Sequence, residues 1–158
     1  MPTPPVDASL RDHLSRALSW ESAHLTFEDA VKGLPAGLRG KRAKGFAHSP
    51  WELVEHIRLA QRDLLDFCRD PGYVEGDWPA AYWPASPAPP SPRAWKASLE
   101  AVAADRKAFQ EFVESTPDLF AEIPRYAGKT ILRSVLLAID HTSYHVGQIL
   151  MARKVLGA

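Results

Sequence analysis

Apolar residues recur along most of this chain at helical spacing, and clusters of Pro and Gly divide them into segments. Leu10, Leu14, Ala17, Leu18 and Leu25 mark a first helix that Asp7 or Ser9 can cap. Thr26 followed by Asp29 predicts a break near His24 and a restart as TFEDAV. Gly33, Pro35, Gly37 and Gly40 end that turn, so residues 32–48 read as a loop. Ser49-Pro50-Trp51-Glu52 is a strong helix start: Ser49 as N-cap, Pro50 at the first helical position, Glu52 closing a capping box. This second helix should run to about Arg69, where Asp70-Pro71-Gly72 stops it. It carries Leu53, Ile57, Ala60, Leu64, Phe67 and Cys68 on one stripe. Ser91-Pro92 opens a third helix with Trp95, Leu99, Val102, Phe109 and Val113 inward, and Thr116-Pro117 ends it. Thr130 can cap a last helix that reaches Leu156, within Lys129 to Leu156, a stretch without proline.

No segment alternates convincingly as a strand. The expected fold is all-α, a four-helix bundle with long connecting loops, forming one domain over residues 1–158. Helices of roughly 17–28 residues with inward apolar stripes fit it, while connections of roughly 14–22 residues are too long to fix an up-down-up-down order. The longest connection, 70–91, is rich in proline and holds Trp78, Tyr82 and Trp83. Those rings are read as a lid packed over the bundle end, against the alternative of a recognition surface.

Charge narrows the partners. Lys+Arg and Asp+Glu number 19 each, a formal net charge of zero, so nothing asks for nucleic acid or an anionic membrane. The short basic run Arg39 to Lys44 reads as a solvated loop. Apolar runs fall short of the ~20 residues of a membrane span. The N-terminus lacks a basic segment followed by an apolar one, so a cytoplasmic location is expected. The one cysteine, Cys68, lies on its helix's apolar side and reads as an inert thiol.

Candidate chemistry rests on histidines. His141 and His145 stand four residues apart and share a face with Leu137, Ala138, Ile149 and Ala152. Two imidazoles on an apolar face need partners, because a buried polar group without one costs roughly 1–3 kcal/mol. A divalent metal would satisfy both, but a third ligand is needed. His56 lies on the apolar stripe of the second helix, three after Leu53, and could supply it. Further candidates for orienting a ligand or lining the pocket are Asp140, Gln148, His24 and Tyr144; Asp140 could equally point outward, His24 could be a rim residue and the Tyr144 hydroxyl structural. Glu52 is accounted for by its cap, and no carboxylate is placed well enough to be named general base.

The segments HSPWELVEHIRLAQRDLLDF (48–67), WPAAYWP (78–84) and AIDHTSYHVGQILMARKVLG (138–157) resemble the DinB/YfiT-like superfamily of metal-binding four-helix bundles. The family pattern of one histidine on the second helix and an HxxxH pair on the last maps onto His56, His141 and His145. One departure is Arg62, where an aromatic or apolar residue is expected. The resemblance implies an open three-histidine site for a divalent cation, Zn or Ni first. It also implies either hydrolysis or thiol S-transfer on a small molecule, with a low-molecular-weight thiol as partner. The alternative is a non-catalytic stress or binding protein with a structural metal, which forms a homodimer through an exposed helix face.

Overall fold

The computed structural model describes residues 6–19 and 23–158. Among the described residues five α-helices follow one another: α1 (Val6–Ala17), α2 (Phe27–Val31), α3 (Pro50–Arg69), α4 (Pro92–Ser115) and α5 (Ile131–Leu156). There is no strand among the described residues, only an isolated bridge between Glu122 and Thr130. The protein is an all-α bundle. α3 is the central helix, packed on both α4 and α5; α1 lies on α4, and the single turn of α2 lies on α5.

Local chemistry explains the boundaries. Thr26 caps α2 and Ser49 caps α3, each in a complete capping box with the acid three residues on. Ser91 and Thr130 cap α4 and α5 by accepting from the third backbone N–H of each helix. Gly157, at φ 79°, ends α5 in the left-handed region that glycine tolerates best.

The first helix departs from expectation. It spans 12 residues, shorter than the other long helices. Leu25 is 54% exposed in the connection to α2, where an inward position was expected. The Thr26 box explains this, because it starts a new helix and forces an extended residue just before it. The expected continuation of α1 through residues 20–22 lies outside the described residues. Arg62 sits on the outer side of α3, where it bonds Asp66 and reaches Asp105 of α4 at 2.9 Å. An ion pair thus stands where an apolar contact was expected.

Two apolar clusters fill the bundle. One gathers Leu14, Leu65, Phe109, Val113 and Val135; the other Phe27, Trp51, Leu53, Ile57, Val102 and Ile149. Burying each large side chain contributes about 1.5–3 kcal/mol. Along α5 the first cluster takes Ile131, Val135 and Ala138, and the second takes Val146 and Ile149. The interval between them carries His141 and His145. Cys68 borders the first cluster, and burial pushes its thiol up to about 11, away from reactive thiolate.

The long loop after α3 is tied back to the start of that helix. The Ser49 hydroxyl, while accepting from Glu52 N–H, donates to the Pro87 carbonyl. Gly40 meets the same stretch so closely that a Cβ there would lie 2.7 Å from the Ala88 Cα. Ser49 is fully buried. Ser49→Ala removes a cap and leaves the Pro87 carbonyl without its donor, so it should destabilise by about 2 kcal/mol. Urea denaturation measures this, and a loss below about 0.5 kcal/mol would contradict the double role.

Candidate metal centre

His56 on α3 faces His141 and His145 on α5, which lie one helical turn apart. The His141 Nε2 stands 2.9 Å from the His56 Nε2 and 3.1 Å from the His145 Nε2. His56 is 3% exposed and His145 6%. Three side chains from two helices thus point one nitrogen each at a common spot.

The other ring nitrogens determine which atoms carry protons. His56 Nδ1–H donates to the Tyr82 carbonyl at 2.7 Å. His145 Nδ1–H donates to the Gln148 Oε1 at 2.7 Å. Because both acceptors are carbonyl oxygens, each ring must carry its proton on Nδ1 and, when neutral, present a lone pair at Nε2. His141 can bring at most one proton to the junction when neutral, which cannot satisfy two lone pairs at full strength. A cation at the common spot fits this donor set. Nitrogens held 2.0–2.1 Å from one tetrahedral zinc stand about 3.3 Å apart, so the observed 2.9 and 3.1 Å need to widen only by a few tenths of an ångström. The outward Nδ1–H bonds are the orienting contacts that metal-bound histidines usually make. The group could therefore hold a metal ion.

Protonation would oppose this, and the site disfavours it. Burial pushes all three histidines below the ordinary range. His141 is held down to about 4, by burial first and then by the neighbouring rings of His145 and His56. At neutral pH the cluster presents uncharged nitrogens.

The aromatic loop forms one wall. Trp83 stacks on His56 with ring centroids 3.9 Å apart and on His48 at the same spacing, so its indole lies between two imidazoles. The backbone of the preceding Tyr82 supplies the carbonyl that orients His56. The segment therefore covers and orients His56, while of the three loop rings read as packed down only Trp83 and Tyr82 are. Trp78 is 72% exposed at the rim.

Beside the cluster lies a cavity of about 320 Å³ that His56 and His141 line together with Leu64, Phe67, Asp63 and Lys129. Tyr73 donates to the Asp63 carboxylate at 2.8 Å. Burial raises that carboxyl above the usual carboxylate range, though the Tyr73 and Tyr82 hydroxyls pull the other way. A carboxylate facing the site was missed in the sequence, yet a signal existed, since Asp63 follows His56 by seven residues, two turns on one face. Lys129 and Arg133 had a similar signal, because positions 129, 133, 137, 141 and 145 form one i, i+4 row. Tyr73 had none, because a loop delivers it.

The other sequence candidates separate. Gln148 touches the cluster through His145. Tyr144 is 63% exposed, its ring meeting His145 edge to face with centroids 5.0 Å apart. Asp140 is exposed and makes no hydrogen bond to His141. His24 is exposed, bonds the Leu25 carbonyl and lines a different small hollow beside Arg106 and Ser143, so its expected place at the histidine pocket is corrected. The break before Thr26 turns it away. Leu137, expected inward, is 39% exposed because it borders the cavity. No helix among the described residues is long and apolar enough to cross a membrane.

The depressed imidazoles set a pH dependence. The unfolded histidines, near 6.5, bind protons that the folded ones refuse, so stability is full above that value and falls as pH drops toward about 4. In chelator-treated protein the urea midpoint should fall between pH 6.5 and 5, with a shallower fall in His141→Gln. A flat midpoint across this window would contradict the burial.

Comparison with known families places the chain. The profile of the DinB superfamily matches residues 19–149. Searches of curated proteins and of solved structures give no match. The match, the helical bundle and the three-histidine group together fit a metal-binding protein of this kind. The chain belongs to the DinB superfamily.

Proposed function

We propose that this protein holds a divalent metal ion, zinc or nickel first, on His56, His141 and His145, and acts on a small molecule in the adjoining cavity as a thiol S-transferase or hydrolase. The observation that carries the reading is the convergence of three Nε2 atoms at the edge of a cavity that His56 and His141 line. Three imidazoles suit Zn, Ni, Cu and Fe, and three protein ligands leave a position for substrate. Bound there, such an ion supplies an electrophilic centre that favours the deprotonated form of a water or thiol.

The chain's own residues do the rest. The Tyr82 carbonyl and Gln148 hold His56 and His145 in the tautomer that leaves Nε2 bare. Trp83 closes one side of His56. Leu64 and Phe67 give the cavity apolar walls. Asp63, whose carboxyl burial raises above the usual carboxylate range, can take or return a proton within that cavity. This carboxylate answers the absence of a general base noted from the sequence.

The alternative is a stress-related binding protein with a structural metal. It needs a closed coordination sphere, and the cavity beside His56 and His141 weighs against that.

Screens for conjugation of low-molecular-weight thiols to electrophiles, and for ester and amide hydrolysis, test the reading on loaded, stripped and reloaded protein. Turnover should vanish on stripping, return on reloading and be absent from His141→Ala. Turnover that survives complete loss of metal would overturn it. If no turnover is found and stripping only lowers the melting temperature, the structural reading stands instead.

A further inference from the structure

Charged groups face the cavity from two sides without meeting each other. Asp63 enters from α3 and Glu75 from the loop after it; Lys129 enters just before α5 and Arg133 from its first turn. Among the described residues, none of these four takes part in an ion pair within 4 Å. Elsewhere on α3 charged groups do find partners, as Arg62 does with Asp66 and Asp105. Asp63 and Lys129 are also both half-buried. Asp63 accepts from the Tyr73 hydroxyl, and the Tyr82 hydroxyl stands by the same carboxylate, so its partners among the described residues are neutral. The Lys129 ammonium lies over the rings of Phe67 and Tyr126, 5.7 and 5.2 Å from their centroids. A half-buried carboxylate and a half-buried ammonium that line one cavity and do not pair leave room for a ligand with a charge for each. Between them the wall is apolar, from Leu64 and Phe67.

We infer that the cavity takes a small zwitterion: its ammonium against Asp63, its anionic group against Lys129 and Arg133, and its apolar body along Leu64 and Phe67. The volume, about 320 Å³, is at the small end of ligand sites, which suits a compact molecule over a peptide or nucleotide. The inference rests on reading this cavity as the substrate site of the histidine cluster and names the ligand class that it would admit. Arg133 and Glu75, both exposed at the mouth, extend the same polarity outward.

The test uses ω-amino carboxylic acids of four to eight carbons, each compared with the fatty acid and the alkylamine of equal length. Binding is measured calorimetrically on the full chain, in metal-loaded and in chelator-treated protein. Their charged ends are too far apart to chelate a metal together. At the best length the zwitterion should bind at least about tenfold more tightly than either singly charged analogue, the effect of one added charge-assisted contact. Asp63→Asn keeps the acceptor for Tyr73 but removes the charge, and should reduce the zwitterion to the level of the fatty acid. Lys129→Met keeps the stem and should reduce it to near the level of the amine. Circular dichroism confirms that both variants fold. No advantage at any length, or an advantage that survives both substitutions, overturns the inference. The metal content of the loaded sample is read separately, so a protein that binds no metal but keeps the zwitterion preference would sink the metal reading alone.

Discussion

Three imidazole nitrogens that meet at about 3 Å in a largely buried junction cannot fully satisfy one another. Two of the rings have committed their protons outward, to the Tyr82 carbonyl and to Gln148, so the junction has more lone pairs than hydrogens. In water this would cost little, but under the low exposure of His56 and His145 an unpaired nitrogen costs on the order of 1–3 kcal/mol. Protonation is no escape, because burial and the neighbouring rings hold His141 down to about 4. The arrangement is stable in proportion to how well something electron-poor occupies its centre. That constraint links the family pattern of three histidines to a chemical role.

The rest of the bundle serves this junction. α3 and α5 pack along each other and carry the ligating side chains, and each is braced by an apolar cluster on either side of the histidines. The loop after α3 then does two things at once. Its backbone at Tyr82 fixes the tautomer of His56, and its Trp83 ring covers that imidazole. A loop can do this only if its own position is fixed, and the Ser49 hydroxyl and the close approach at Gly40 hold it to the start of α3. The residue that starts the helix therefore also anchors the cover of the site that the helix carries.

Much of this was legible in the chain because the signals were local. Ser49-Pro50 with Glu52, and Thr26 with Asp29, set helix starts through their own hydrogen bonds, and both capping boxes are present. Proximity of His141 and His145 follows from helical spacing alone. Less was legible where tertiary delivery decides. That Tyr82 would present its carbonyl, and not its phenol, to His56 depends on the path of a proline-rich loop. Asp63 was readable two turns beyond His56, but its meaning depends on Tyr73 and Lys129, which arrive from other segments. His24, whose alternative was a rim place, lies exposed beside a different hollow, and nothing local in the sequence chose between the two.

The central claim, that the three histidines hold a metal, is tested most directly by elemental analysis of tag-free protein, wild type beside His145→Ala. The account predicts about one divalent metal per chain in the wild type and its loss in the variant, with the fold retained by circular dichroism. Wild-type protein that carries no metal as purified, and takes up none when offered zinc or nickel, would contradict it.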